Sequence, residues 1–283
     1  MGSSGSQSTL STFTASDGDN LAVQDWPLAE EEALRGVVLL VHGLGEHAGR
    51  YEHVAQRLNG WGFAVRGYDQ FGHGESGGAR GGLPSSNRLV DDLADLVEST
   101  RARTPDGKPL VVLGHSLGGL VAACHAAVHP DAIDGLVLSS PSLAVRMTPV
   151  QSLLLRSLPA NLRVANGLDA KYLSHDPQVA RAYRADPLVH DRIAVRLAGF
   201  IAESAPWVIE QAPHWRVPTL LMYAGHDLLV DPRGSRDFAA RAPRDVVSSC
   251  CFEDLYHEIL NERDAEPVYD CLRQWLDDRF PAA

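Results

Sequence analysis

The chain has 283 residues, 45% of them hydrophobic, which is enough to build one large α/β domain or two small ones around a sizeable core. It carries 25 Lys and Arg against 36 Asp and Glu, so its formal net charge is -11 and nucleic acid or an anionic lipid surface would be repelled. These figures exclude a disordered chain, and no nucleic-acid partner is expected. The apolar runs are also far shorter than the ~20 residues that cross a bilayer.

The N-terminus and the cysteines bear on where the protein acts. Residues 1–6, MGSSGS, resemble an added leader and are left out of the fold argument. No basic stretch precedes an apolar run, so a signal peptide is not predicted. The cysteines are sparse, and no Cys/His spacing resembles a zinc site; they are Cys124, Cys250, Cys251 and Cys271. Reduced thiols, no metal and a cytoplasmic location are therefore expected.

The predicted elements begin with an antiparallel hairpin, whose strands at 10–15 and 21–26 flank a Ser-Asp-Gly-Asp-Asn turn. Short aliphatic runs then alternate with helical patterns. The further strands are predicted at 37–41, 63–68, 110–113, 135–138, 219–223 and 246–252. The helices are predicted at 51–59, 89–104, 117–128, 233–241 and 265–279. This alternation predicts an α/β fold with a mostly parallel sheet and helices on both faces.

One interval breaks the alternation. Between Ser140 and Pro218 the sequence has helical patterning and no convincing strand, over a length of about eighty residues that is too long for an ordinary crossover. We therefore predict a helical cap at 143–215, inserted into a core formed by 7–142 and 216–283. A capping box at 148–151 predicts the start of one cap helix. Its apolar side chains are candidates to bind an acyl chain, although packing on the core is the plainer alternative; they are Leu153, Leu154, Leu155 and Leu158.

A candidate nucleophile follows the predicted strand at 110–113. The sequence Gly-His-Ser-Leu-Gly at 114–118 lies between that strand and a helix, which is the context of a nucleophile elbow. The glycines allow a tight turn that exposes the side chain of Ser116 above the sheet edge. The plainer alternative is a serine that caps the helix.

A serine nucleophile needs a base and an acid, and in such folds both follow the serine along the chain. Asp227 comes just after the strand at 219–223 and is the candidate acid. Asp231 competes with it, but Pro232 follows, which favours a turn or helix-capping role. His257 lies between the last strand and the last helix and is the candidate base. His226 and His115 are better explained by packing or local hydrogen bonds.

The tetrahedral intermediate of such a reaction needs two donors for its oxyanion. The backbone N–H of Leu117 follows the nucleophile and starts a helix, where unsatisfied amides favour negative charge. The second candidate is the N–H of Leu44, because the flanking Gly43 and Gly45 allow the backbone to approach a substrate closely. An ordinary glycine-rich turn is the alternative.

Several motifs occur in a fixed order along the chain. They are HGLGEH at 42–47, YDQFGHGES at 68–76, GHSLGG at 114–119, AGHD at 224–227 and YHE at 256–258. Together they resemble the monoacylglycerol lipase and lysophospholipase branch of the α/β-hydrolases. Asp69, in the second motif, is not expected to be catalytic; we expect it to order its loop by accepting backbone N–H bonds. One departure is Val230, where some relatives carry a cysteine, so inhibition by thiol reagents is not expected there.

The resemblance implies an eight-stranded α/β-hydrolase fold with Ser116, Asp227 and His257 as a triad, and Leu44 and Leu117 as oxyanion donors. It implies hydrolysis of a carboxylic ester through an acyl-enzyme, without a metal or an organic cofactor. Monoacylglycerol or a similar single-chain ester is the favoured small-molecule substrate, while lysophospholipids and small soluble esters stay open. The cap is expected to touch lipid aggregates transiently. The sequence makes no prediction about oligomeric state.

Two other functions are weighed against ester hydrolysis. A silent hydrolase-fold protein that only binds a ligand would have no chemical need for an intact triad. A dehalogenase or epoxide hydrolase of the same fold would carry Asp at the elbow, where this chain has Ser116.

Overall fold

An eight-stranded sheet forms the centre of the computed structural model, which describes residues 8–29, 33–144 and 157–282. The strands of the described residues are β1 (Thr9–Thr14), β2 (Asn20–Trp26), β3 (Gly36–Val41), β4 (Phe63–Tyr68), β5 (Leu110–His115), β6 (Gly135–Ser139), β7 (Arg163–Ala165), β8 (Arg192–Ala194), β9 (Thr219–Ala224) and β10 (Val247–Phe252). The order across the sheet is β1-β2-β4-β3-β5-β6-β9-β10. β2 pairs antiparallel with β1 and β4, and the other neighbours are parallel. The predicted hairpin and mostly parallel sheet are confirmed.

Helices cover both faces of this sheet. They are α1 (Glu52–Asn59), α2 (Arg88–Arg101), α3 (Leu117–Val128), α4 (Pro177–Ala185), α5 (Val195–Gln211), α6 (Arg233–Arg241) and α7 (Glu266–Arg279). On one face, apolar side chains of α1 and α7 such as Leu58 and Leu272 pack with Val38 and Val111 of the sheet. On the other face, α2, α3, α5 and α6 share a second core. This two-layered burial explains why the central strands are apolar on both sides.

The predicted boundaries agree with the structure to within three residues. The largest difference is in the helix predicted at 89–104, which ends at Arg101. Further turn-type hydrogen bonds carry the chain on to Thr104, immediately before Pro105. Because a residue that precedes a proline disfavours the helical conformation, the helical hydrogen bonds stop at Thr104.

The expectation that no strand lies between Ser140 and Pro218 is wrong. β7 and β8 pair with each other in a separate antiparallel ribbon of three residues each. All three residues of β7 are exposed and only Ala194 of β8 is buried, so strands of three residues give no alternation of burial that a sequence pattern would reveal. The capping box at 148–151 and Leu153, Leu154 and Leu155 lie outside the described residues.

The segment that leaves β6 and returns at β9 lies against the carboxyl ends of the central strands. His190 N donates to Gly45 O at 2.9 Å in the loop after β3, and Ala194 N donates to Gly81 O at 2.7 Å in the loop after β4. Glu258 N, in the loop after β10, donates to Leu173 O at 2.7 Å. The segment is therefore tied to the loops that carry Leu44 and His257, which are predicted site residues, and to the loop after β4.

Two further predictions concern the cysteines and the membrane. The structure joins Cys250 to Cys271 in a disulfide, so the expectation that all four thiols are reduced is wrong; β10 and α7 bring the two residues together from 21 positions apart. Cys124 and Cys251 are free. Within the three described ranges, no helix has both the length and the apolar character needed to span a membrane.

Candidate active site

The turn between β5 and α3 has the geometry of a nucleophile elbow. Ser116 has φ 53° and ψ -118°, a left-handed conformation that is rare for a residue with a side chain. Glycines make the turn possible, because a Cβ on Gly114 would lie 2.5 Å from Gly118 O, and a Cβ on Gly118 would overlap Val41 O. The start of α3 can thus pack against the end of β3, and the sharp turn directs the Ser116 side chain toward His257.

Ser116, His257 and Asp227 form one hydrogen-bonded chain. Ser116 Oγ lies 2.9 Å from His257 Nε2, and His257 Nδ1 lies 2.6 Å from Asp227 Oδ2. The residues are 9%, 4% and 3% exposed respectively, although they come from three separate loops. An ionised carboxylate only accepts hydrogen bonds, so Nδ1 carries the proton and Nε2 is left to accept the Ser116 hydroxyl proton.

The Asp227 carboxylate is itself held by the backbone of its own loop. Its Oδ1 accepts the N–H groups of Leu229 and Val230, both at 2.8 Å. Burial would raise the pKa of Asp227, but the attraction and hydrogen bond of His257, together with these two amides, lower it below its ordinary value. Asp227 is therefore ionised at neutral pH, as a group that stabilises an imidazolium must be.

The pKa of His257 is shifted in the opposite direction, upward. Burial would lower the pKa of His257, but the nearby carboxylates of Asp227, Glu258 and Glu46 raise it above 6.5. A base with such a pKa holds a proton more readily than free imidazole does, which suits proton transfer from a hydroxyl near neutral pH.

The two predicted oxyanion amides lie on adjoining loops. The loop after β3 passes so close to the nucleophile that a Cβ on Gly43 would lie 3.2 Å from Ser116 Cβ. Leu44 follows in that loop, and Leu117 is the first residue of α3. Within the described part of the chain, neither amide N–H has a backbone carbonyl partner. The role of the two amides as oxyanion donors stays a prediction.

The competing residues have other partners. Asp231 accepts Arg233 N at 3.1 Å and pairs with the Arg233 guanidinium at the start of α6. His226 is exposed, and its ring packs edge-on against Tyr256. His115 is buried with its ring 4.8 Å from that of His257, and burial lowers the pKa of His115 to about 4.

Asp69 orders loops in the way that the sequence suggests. Its Oδ1 accepts Ala48 N and its Oδ2 accepts Glu75 N, each at 2.8 Å. A Cβ on Gly74 would overlap the Asp69 carboxylate, so glycine is required at that position. Asp69 therefore joins the loops that follow β3 and β4.

A buried ionic network next to the triad was not predicted. Arg50 binds Glu258 through two hydrogen bonds of 2.7 and 2.8 Å and also pairs with Glu46. Glu46 Oε1 accepts Gly43 N at 2.6 Å and the Tyr51 hydroxyl at 2.7 Å. Burial would raise the pKa of Glu46, but Arg50 and the neighbouring histidines lower it to about 2. The i, i+4 spacing of Glu46 and Arg50, and Glu258 beside His257, were signals for this network.

A cavity of about 750 Å³ adjoins the loop after β3. Its lining includes Asn166, Tyr183 and His190. A Cβ on Gly45 would lie 2.5 Å from His190 O and 3.2 Å from the Tyr183 hydroxyl, so the wall of the cavity touches the residue after Leu44. Asn166 Nδ2 is buried and has no hydrogen-bond partner among the described residues.

Of the four predicted acyl-binding leucines, Leu158 lies within the described residues, and it is 39% exposed. Leu162 and Val164 are exposed to 41% and 39% in the same stretch of chain. Leu153, Leu154 and Leu155 precede them outside the described ranges.

Comparison with known proteins places the chain in a family. The family model described as serine aminopeptidase, S33, matches residues 32–264. A monoacylglycerol lipase of Mycolicibacterium smegmatis is 37% identical over 252 residues, which are 86% of this chain and 88% of that protein. An uncharacterized abhydrolase domain-containing protein of Dictyostelium discoideum is 33% identical over 98% of this chain, which spans only 30% of that protein's length.

A solved structure agrees with these relatives. The crystal structure of Paleococcus ferrophilus monoacylglycerol lipase superimposes with a TM-score of 0.83 at 33% identity, over 92% of this chain and 99% of that one. The chain belongs to the serine aminopeptidase, S33, family of α/β-hydrolases. The predicted fold class and the resemblance to the monoacylglycerol lipase branch are confirmed.

Proposed function

We propose that this protein is a serine hydrolase that cleaves carboxylic esters through an acyl-enzyme. The observation that carries the proposal is the buried chain from Ser116 Oγ through His257 to Asp227, with distances of 2.9 and 2.6 Å. A ligand-binding protein of the same fold would have no chemical need for this arrangement.

Acylation begins when Ser116 Oγ attacks the ester carbonyl carbon and its proton passes to His257 Nε2. The carbonyl electron pair moves to oxygen, where the amides of Leu44 and Leu117 donate to the oxyanion. Collapse of this intermediate expels the alcohol, which takes the proton from His257. Water then attacks the acyl-enzyme with His257 as base, and the C–Oγ bond breaks to release the acid. These steps use only side chains and backbone amides, so the proposal includes no metal or organic cofactor.

The favoured substrate is monoacylglycerol or a similar single-chain acyl ester. This choice is supported by the names of the Mycolicibacterium and Paleococcus relatives, at 37% and 33% identity. A lysophospholipase and a general carboxylesterase are the alternatives.

The segment at 143–215 is proposed to be a cap over the site, with 7–142 and 216–283 as the hydrolase core. Its hydrogen bonds to Gly45, Gly81 and Glu258 support this division. The exposed Leu158, Leu162 and Val164 support transient contact of the cap with lipid aggregates. Leu153, Leu154 and Leu155 are proposed to extend the same acyl-binding surface.

A cytoplasmic location is also proposed. It is supported by the free thiols of Cys124 and Cys251. The Cys250–Cys271 disulfide favours an oxidising compartment instead. Alkylation of free thiols in intact cells, followed by mass spectrometry of the peptides that contain Cys250 and Cys271, decides between the two.

The function is tested with a substrate panel. We expect hydrolysis of monoacylglycerols and chromogenic esters, with kcat/KM that rises with acyl chain length, and weaker turnover of lysophospholipids. Higher kcat/KM on lysophospholipids would select the phospholipase alternative. No hydrolysis of any ester, with cleavage of an aminoacyl anilide, would overturn the proposal in favour of a peptidase.

A further inference from the structure

A second serine hydroxyl lies beside the nucleophile. Ser142 Oγ is 3.4 Å from Ser116 Oγ, and Ser142 N donates to Ser116 O at 3.0 Å. Ser142 is 7% exposed and lies three residues after β6. The backbone and the side chain of Ser142 thus both approach the same residue of the elbow.

The position of Ser142 is fixed by tight packing on both sides. A Cβ on Gly119 of α3 would lie 2.9 Å from Pro141 Cβ, and a Cβ on Gly234 of α6 would lie 2.5 Å from the carbonyl carbon of Leu143. The residues on either side of Ser142 therefore pack tightly against α3 and α6. A residue held in this way keeps its side chain at a constant distance from Ser116.

The direction of the hydrogen bond follows from the triad. His257 Nδ1 donates to Asp227, so Nε2 accepts and the Ser116 hydroxyl must be the donor to it. The Ser116 proton is then unavailable to Ser142. Between the two hydroxyl groups, Ser142 must therefore donate and Ser116 Oγ must accept.

We propose, on the basis of the function proposed above, that Ser142 is a positioning residue for the nucleophile. Its hydroxyl donates to a lone pair of Ser116 Oγ and so orients the Ser116 O–H toward His257 Nε2. Among the described residues its hydroxyl has no other hydrogen-bond partner.

The same hydrogen bond gains strength during the reaction. At 3.4 Å it is long for an O–H···O bond in the resting site, but hydrogen bonds to a charged oxygen are shorter and stronger. In acylation Oγ loses its proton to His257 as it bonds to the acyl carbon. In deacylation the C–Oγ bond breaks, its electron pair stays on Oγ, and His257 returns the proton. Ser142 remains protonated throughout and donates to the charge that develops on Oγ.

The test compares Ser142→Ala with Ser142→Thr, which keeps the hydroxyl group. Ser235→Ala is the matched control, because Ser235 is also buried but lies on α6. The rate constant for labelling by a fluorophosphonate reports the nucleophilicity of Ser116 without a natural substrate. Kinetics on p-nitrophenyl butyrate separate kcat from KM, and melting temperatures report folding.

We expect Ser142→Ala to lower the labelling rate and kcat by about tenfold, the effect of one hydrogen bond, with KM and melting temperature unchanged. Ser142→Thr should restore both rates to within about threefold of wild type, and Ser235→Ala should label at the wild-type rate. Wild-type labelling of Ser142→Ala, or a folded Ser142→Thr as slow as Ser142→Ala, would overturn the inference. An unlabelled wild type would instead overturn the proposed function, and the inference with it.

Discussion

Arg50 binds both carboxylate oxygens of Glu258, at 2.7 and 2.8 Å, and pairs with Glu46 on its other side. Glu46 accepts the N–H of Gly43, and Glu258 follows His257 directly. One buried guanidinium therefore joins the loop that carries Leu44 to the loop that carries His257. Since both loops must keep their positions relative to Ser116, we infer that Arg50 sets the geometry of the whole site.

Replacing Arg50 should damage both folding and activity. In Arg50→Met two buried carboxylates lose their partner, and breaking a buried ion pair in this way costs about 3–5 kcal/mol of stability. Arg50→Lys keeps the charge but loses the two parallel hydrogen bonds to Glu258, so we expect a smaller loss of stability. We also expect kcat to fall tenfold or more, which is on the order of the free energy of one or two charged hydrogen bonds. Chemical denaturation and ester hydrolysis measure the two effects.

Arg57→Met is the control for Arg50→Met. Arg57 pairs with Glu266, but their side chains are 47% and 64% exposed, and such surface pairs contribute little. Equal losses of stability in the two variants would contradict the role given to Arg50.

Asp227→Asn should lose activity by about 10³-fold or more, because an amide no longer holds His257 in the required tautomer. Asp231→Asn should keep activity within about tenfold of wild type, since the Asp231 carboxylate binds Arg233 and the carboxylate that bonds His257 Nδ1 is that of Asp227. Steady-state kinetics on a chromogenic ester compare the two. If Asp231→Asn were the more damaging change, the two aspartates would exchange roles.

The stability of the fold should fall as the pH drops from 6.5 toward 4. Burial lowers the pKa of His115, His125 and His190 from 6.5 to about 4. As the pH falls, these histidines bind protons in the unfolded chain before they do so in the folded protein. The three histidines therefore stabilise the fold fully above pH 6.5 and lose that contribution as the pH falls through about 4. The melting temperature measured against pH should show this decline.

His125→Leu should make the same decline shallower, because it removes one of the three groups. His214→Leu is the control, since His214 is exposed. A pH dependence that is the same in both variants would show that burial of His125 is not its cause.

Leu162→Glu should reduce hydrolysis of aggregated long-chain monoacylglycerol more than hydrolysis of a short soluble ester. Leu162 is 41% exposed in the proposed cap, and a charge there would oppose contact with lipid. Leu10→Glu is the matched control, because Leu10 is 73% exposed on the edge strand β1. Equal losses on both substrates would remove the lipid-contact role.

Leu155→Glu extends this test into residues outside the described ranges. We expect it to act like Leu162→Glu if the predicted cap helix borders the acyl entrance. Equal losses on the short ester and on long-chain monoacylglycerol would leave Leu155 an ordinary packing residue.

Local patterns were enough to predict most of the sheet and the three residues that form the hydrogen-bonded chain from Ser116 to Asp227. Ser116 lies in a strand–turn–helix sequence, and Asp227 and His257 each follow a recognisable strand, so parallel strands bring all three to one edge. β7 and β8 were missed because β7 is fully exposed and β8 has a single buried residue, Ala194, which gives no pattern of alternating burial. A three-residue ribbon leaves too little signal for any sequence rule.

Contacts between distant parts of the chain could not be predicted. Arg50 and Glu258 are separated by 208 positions, and Ser142 lies 26 positions after Ser116. Local spacing hints at the pair of Arg50 with Glu46, but nothing local links Arg50 to Glu258 or Ser142 to Ser116. Only the packing of loops at the sheet edge gives them a common role, and that packing depends on the whole fold.

Covalent labelling of Ser116 tests the central claim most directly. Wild-type protein should react with a fluorophosphonate probe, and peptide mapping should find the adduct on Ser116 alone. Ser116→Ala should fold normally, fail to react, and lose ester hydrolysis by on the order of 10³-fold or more. An adduct on another residue, or a Ser116→Ala variant that retains turnover within about tenfold of wild type, would contradict the account.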